Sequence, residues 1–258
     1  MQQPYTKNFF QDQRQHSLQS ARQVVPVVME LIQPRSIVDV GCGVGAWLSA
    51  FQEQGIEDML GVDGDYVNRE LLMIPQAKFR SYDLKCPFRV DREFDLAMCL
   101  EVAEHLPWEA AETLIESLTL LSPVVLFSAA VPHQGGVFHV NEQWQEFWQN
   151  QFVAQGYRAI DCIRGRIWEN THVEWFYAQN TFLYVRADCL ERYPALQSAA
   201  ESGNPMPARV VHPGMFLGLV YNSDPENIRV GDAWKILLTS LKCAIRRRMG
   251  RKGTGGSR

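Results

Sequence analysis

The chain has 258 residues, 46% of them apolar and 21% charged, with a formal net charge of −4. That length and composition fit one large globular domain with a substantial core, and the negative balance argues against a surface built throughout to grip nucleic acid. The average hides an asymmetry: residues 242–258 carry seven basic side chains and no acidic one, which leaves −11 on residues 1–241.

Six scattered cysteines (42, 86, 99, 162, 189 and 243) show no C-x-x-C pair and no metal-type Cys/His spacing. They read as reduced thiols, with neither a disulfide frame nor a zinc site expected. The start, MQQPYTKNFFQDQ, lacks a basic-then-apolar leader pattern, and the longest strongly apolar run, 124–131, is under half a bilayer span. The expectation is a soluble, cytoplasmic protein.

In chain order, Val24, Val25, Val27, Val28, Leu31 and Ile32 recur at helical spacing, and Pro34 stops that helix. Residues 1–34 thus read as a helical cap. A buried strand follows at 36–40, then a glycine turn at 41–45 and a helix at 46–54 closed by Gly55. Further strands are expected at 59–63, 77–83 and 94–100, a helix at 107–121 with proline in its first turn, and a fifth strand at 124–130. A helix capped by Asn141 should run over 141–155, with strands at 157–163 and 181–186. Residues 164–180 read as an irregular aromatic stretch, 187–231 as a loop-rich extension, and 232–258 as a basic helix and tail. Strands alternating with helices over 36–130 predict an α/β fold: a mostly parallel sheet with helices on both faces.

The sequence Val38-Asp39-Val40-Gly41-Cys42-Gly43-Val44-Gly45 sets an acid two residues before a glycine turn that directly follows a strand. Glycines allow the tight turn and let a ligand approach the backbone, and the next helix offers free N–H groups. Asp63, about twenty residues on, ends the second strand, where a carboxylate can accept both ribose hydroxyls. Asp83 ends the third expected strand. Gly41-x-Gly43-x-x-Ala46 also fits a dinucleotide fingerprint, so an NAD(P)-dependent oxidoreductase competes with a nucleoside-sulfonium enzyme. Gly45 standing two residues after Gly43, and the acids at 39 and 83, favour the latter.

With those residues in place, the chain resembles the class I S-adenosylmethionine-dependent methyltransferases. VDVGCGVGAWL is similar to their first motif, GVDGDYV to the second, YDL to the third and FDLAMCLEVAEHL to the fourth, the last close to the small-molecule branch. The resemblance covers roughly residues 20–186. The later FSAAVPHQGG…HVNEQW is similar to bacterial methyltransferases of glycan and secondary-metabolite pathways. The resemblance implies a Rossmann-like seven-stranded sheet with an antiparallel last strand, and S-adenosyl-L-methionine as cofactor. It also implies that Gly41, Gly43 and Gly45 pack on the methionine part and Asp39 orients its amino group. Asp63 would take the ribose, Asp83 with Leu84 the adenine, and the Cys99 and Leu100 backbone the methionine end. A non-catalytic S-adenosylmethionine-binding protein is the other alternative.

A sulfonium already activates its methyl group, so the protein aligns an acceptor and, for a hydroxyl, removes a proton. Histidine is the natural base; His105 and His133 fall at the expected carboxyl edge of the sheet, and His139 flanks the start of the next helix. No metal is expected. The Asn/Asp-Pro-Pro-Tyr/Phe motif of amino-methylating nucleic-acid enzymes is missing, and a small-molecule or glycan-type acceptor methylated at oxygen is the expectation. Phe147, Trp148 and Phe152 read as core, whereas Trp168 and Trp175 are candidates for an acceptor wall. Trp234, Leu238, Leu241 and Ile245 share a helical face beside Lys235, Lys242, Arg246 and Arg247. Such a helix either docks on the domain or touches an anionic membrane surface peripherally.

Overall fold

Alternating side chains of the short apolar runs point to opposite faces of one sheet, and helices bury both faces. In the computed structural model, β1 (Ser36–Val40), β2 (Asp58–Asp63), β3 (Phe79–Ser81), β4 (Leu96–Leu100), β5 (Val124–Ser128), β6 (Tyr157–Ile160) and β7 (Phe182–Arg186) form a seven-stranded sheet. Their order is β3-β2-β1-β4-β5-β7-β6. β7 runs antiparallel to β5 and β6, while the β1–β2, β1–β4, β2–β3 and β4–β5 pairs are parallel. The fold is therefore the Rossmann-like α/β arrangement with an antiparallel last strand. The structure describes residues 7–202, 207–224, 226–228 and 230–252.

On one face Ile37, Leu96, Met98 and Leu126 pack with Val24 and Val28 of α1 (Lys7–Ile32) and with Leu48 and Phe51 of α2 (Ala46–Glu53). On the other, Val38, Ala97, Val125 and Phe127 meet Leu114 and Leu118 of α3 (Ala111–Leu121) and Trp148 and Phe152 of α4 (Gln145–Ala154). This two-sided cover is why the strands read as unbroken apolar runs. Strand order reverses between β1 and β4, so the loops after these strands diverge and open a crevice at the carboxyl edge.

Several expected elements differ. The third strand is only Phe79–Ser81, preceded by a 3-10 turn at Gln76–Lys78, so Asp83 stands beyond the strand. The helix expected from 141 begins at Gln145 with Trp144 at its N-cap; Asn141 does not cap it, and its side-chain oxygen instead accepts from Gln143 Nε2 at 3.0 Å. The aromatic stretch at 164–180 holds α5 (Arg164–Ile167) and α6 (Trp175–Asn180). The region read as loop from 187 to 231 contains a 3-10 segment at Ala187–Arg192, α7 (Pro194–Ser202) and α8 (Pro213–Ser223). Pro194 and Pro213 stand at the first positions of α7 and α8, where proline suits a helix, and Gly214 and Gly218 lie within α8.

The chain divides into two units, Met1–His212 and Pro213–Arg258. The second consists of α8 and α9 (Val230–Lys252). The side chains of Ile245, Arg246 and Arg247 lie outside the described residues, as does the tail beyond 252. Among the described residues no helix is long and apolar enough to cross a membrane.

One buried cation joins distant parts of the first unit. Arg164 is fully buried and forms two bonds to Asp161, at 3.0 and 2.6 Å. It also donates to the carbonyls of Gln179, Pro207 and Ala208 and sits 4.3 Å from the centre of the Phe182 ring. Removing the guanidinium leaves Asp161 and three carbonyls without their donor. Arg164→Ala should lower unfolding free energy by about 3–5 kcal/mol. Urea denaturation measures this, and a loss below about 1 kcal/mol, the value of an exposed pair, would contradict it.

Candidate active site

The loop after β1 is shaped by its glycines. Gly41, Gly43 and Gly45 have φ of 87°, 54° and 82°, a region that strains other residues. At Gly41 the reason is also space, since a Cβ there would meet Val102 Cγ2 at 2.3 Å. The Gly41 and Cys42 N–H groups donate to the Val62 carbonyl at 2.7 and 3.1 Å, which locks the loop to the end of β2. Gly43 N–H donates to Asp63 at 2.6 Å, and the same carboxylate takes Gly64 N–H at 2.7 Å and the Tyr66 hydroxyl. Burial raises the Asp63 carboxyl above its usual range, and these three donors oppose the shift.

Asp39 is buried in β1 and reaches a cavity of about 440 Å³. Burial, with the nearby Asp63 charge, pushes its carboxyl up to about 8. A carboxyl in that state is primed to ionise beside a cation. Gly41, Gly43 and Leu100 line the same cavity, and Trp47, Trp175, Phe176 and Tyr177 give it an aromatic side.

The remaining wall is polar. Glu101 follows β4 with φ of 54°, a strained conformation held by its N–H donating to Ser128 O and Oγ at 3.0 and 3.1 Å. Its carboxylate accepts from Gln134 Nε2 at 2.8 Å and Asn180 Nδ2 at 3.2 Å, while burial pushes it up to about 7. Glu104 is buried too, and desolvation together with the Glu101 charge raises it far above an ordinary carboxyl. His105 packs edge-on against His139, with ring centres 4.8 Å apart. Burial, with His139 adding to it, holds the His105 imidazole down at about 4, so it is neutral.

Of the residues expected from sequence, Asp39, Gly41, Gly43, Leu100, His105 and His139 meet at this cavity. Asp63 lies behind the loop that it holds, and Gly45 forms the N-cap of α2. Cys99 and Leu84 are buried in the core on the α3 face of the sheet. Asp83 is exposed and accepts Lys85 N–H at 3.1 Å, closing a turn away from the cavity lining. His133 is exposed and also outside the lining; its N–H donates to Glu142. Trp175 lines the cavity, whereas Trp168 lines a second one of about 360 Å³.

The sequence carries no local signal for Gln134 and Asn180, which hold Glu101, or for the role of Glu142. That residue resembles a helix cap by position, yet it accepts N–H bonds from His133 and Gly135 and contacts His139 Nδ1 at 3.0 Å. The paired acids of Glu101-Val-Ala-Glu104 were the available signal.

A family model described as a methyltransferase domain matches residues 10–179, more than half of the chain. The protein belongs to this family and uses S-adenosylmethionine. Among solved structures it is similar to DesVI of Streptomyces venezuelae, at 16% identity and a TM-score of 0.50 over 70% of this chain and 96% of that one. It is also similar to an O-methyltransferase family protein from Burkholderia thailandensis, at 14% identity and a TM-score of 0.52 over 69% and 59% of the two chains. At these identities the likeness is one of fold. No curated protein matches the sequence.

The loop geometry fits that cofactor: a cradle of left-handed glycines, with no side chain over Gly43, and an acid facing the cavity from β1. Gly41→Ala should weaken S-adenosylhomocysteine binding at least tenfold, with Val102→Ala in the same chain restoring part of it. Unchanged calorimetric affinity in the single variant would contradict the cradle. Asp39 gives a second prediction. A carboxyl whose folded pKa is raised contributes stability that is present below about 4 and lost as pH climbs through about 8. Asp39→Asn should therefore match the parent protein near pH 4 without ligand and exceed its Tm by about 3–5 °C at pH 8. The same variant should bind S-adenosylhomocysteine more weakly. A pH-independent Tm difference would contradict it.

Proposed function

We propose that this methyltransferase acts on a hydroxyl of a small-molecule or glycan-type acceptor. The observation that carries the reading is one cavity bounded on one side by Asp39 and the glycine loop, and on the other by aromatic rings and a Glu/His wall. When bound, S-adenosylmethionine supplies a methyl group on a sulfonium, already activated for displacement. Asp39 offers a carboxylate to the ligand's ammonium group, and Gly41 and Gly43 let its methionine part lie against the backbone. Asp63 fixes the loop through Gly43.

The acceptor then enters from the polar side. Trp175 and Phe176, set edge to face, each offer an apolar ring to a sugar or a planar acceptor. Glu101, His105 and His139 offer hydrogen-bonding groups to a hydroxyl, and Gln134 and Asn180 keep Glu101 from turning away. Alignment of the attacking oxygen with the methyl group supplies most of the effect, because proximity alone is worth several orders of magnitude.

The family assignment removes the main ground for a nicotinamide enzyme, which the glycine spacing alone left open. Calorimetry should give one S-adenosylhomocysteine site per chain and no heat with NAD. With methyl-labelled S-adenosylmethionine and a panel of hydroxylated acceptors, with and without amino groups, label should enter acceptors that carry hydroxyls only. Label confined to amines would overturn the oxygen assignment, and NAD binding in place of S-adenosylhomocysteine would overturn the reading as a whole.

A further inference from the structure

Glu104, His105 and His139 bring one donor atom each to within 4.8 Å of one another at the cavity wall. Glu104 is fully buried; its carboxyl faces Glu101 and the Ala130 backbone, yet neither oxygen makes a well-formed hydrogen bond. Buried polar groups are almost always partnered, and a buried carboxylate left alone is disfavoured by several kcal/mol. His105 Nδ1 is likewise buried without a partner, while its ring bonds to the Phe138 backbone. The ring proton therefore sits on Nε2 and Nδ1 presents its lone pair. In His139 the roles are reversed: Nδ1 is taken by Glu142 at 3.0 Å, which leaves Nε2 to coordinate. A ring nitrogen tied to a carboxylate or a backbone carbonyl, with the other nitrogen unused, is how proteins orient histidine toward a metal.

We propose that Glu104, His105 and His139 bind one divalent first-row transition-metal ion at the acceptor end of the cavity. Two imidazoles and one carboxylate suit ions such as Mn²⁺, Co²⁺ or Zn²⁺ better than Ca²⁺ or Mg²⁺, which favour oxygen throughout. Glu101 stands next to the set, oriented by Gln134 and Asn180, and brings no atom into the cluster itself. Three protein ligands leave open positions on the ion.

An oxygen of the acceptor fits those positions, and the ion's charge eases loss of the hydroxyl proton. In the transfer the O–H proton passes to water. The S–CH₃ bond breaks with its electron pair staying on sulfur, and an O–CH₃ bond forms. Nothing is oxidised or reduced. His105 and His139 then act as ligands in place of bases. This role rests on the methyltransferase reading above, whereas binding of the ion does not.

The test uses Co²⁺ alone, added to the full chain after treatment with chelator, with d–d absorption reporting imidazole ligation. Saturable uptake of one Co²⁺ per chain is expected. Glu104→Gln and His139→Ala should each weaken uptake at least tenfold, while His133→Ala, at an exposed histidine, should leave it unchanged. His139 is partly exposed, so its variant remains informative if Glu104→Gln fails to fold. Absence of saturable uptake, or equal uptake by the parent protein and His139→Ala, would overturn the site. S-adenosylhomocysteine affinity, measured in parallel without metal, keeps the readings apart: normal binding with no Co²⁺ uptake defeats the metal site alone, and lost binding defeats the cofactor reading.

Discussion

The 2.6 Å hydrogen bond from Gly43 N–H to Asp63 is the contact on which the site depends. It ties the loop after β1 to the end of β2, in a chain where β2 is also fixed to that loop through the Val62 carbonyl. With the loop held there, Gly41 can rest against Val102 and Asp39 can face the cavity. Asp63 meets three donors at once, which is why a buried carboxylate is tolerated at that point.

The site as a whole is built against stability. Asp39, Asp63, Glu101 and Glu104 crowd four buried or nearly buried acids around one crevice. Two of them sit at the ends of β1 and β2 and two after β4, on either side of the strand-order reversal. Such a concentration of like charge is offset only by donors such as Gln134, Asn180 and the loop N–H groups, or by a cation brought in from outside. The left-handed residues Glu101, His133 and Phe138 cluster in the same loops, which adds backbone strain to charge. Strain and unsatisfied charge together at a sheet's carboxyl edge are the physical mark of a site kept for binding.

Much of this was legible in the sequence, for identifiable reasons. β1 and its glycine turn stood out because apolar periodicity, β-branching and φ-permissive residues coincide over a few positions. The antiparallel β7 followed from resemblance and not from its residues, since Phe182–Arg186 reads like any buried strand. Asp83 lies two residues beyond the end of its expected strand, because strand ends and Asx-turns use the same residue. Asn141 and Glu142 imitate a helix start, yet the helix waits until Gln145 while Glu142 serves the loop at 133–139. Gln134 and Asn180 carry no local pattern; their partnership with Glu101 spans the fold and exists only once β4 and β7 are in one sheet.

The central claim is that one cavity holds the methyl donor against the glycine loop and presents it to the Glu/His wall. A crystal structure of the full chain with S-adenosylhomocysteine tests it most directly. The account predicts the ligand's ammonium group against Asp39, its methionine part over Gly41 and Gly43, and its sulfur toward His105 and His139. Ligand density elsewhere, or a sulfur turned away from those histidines, would contradict it.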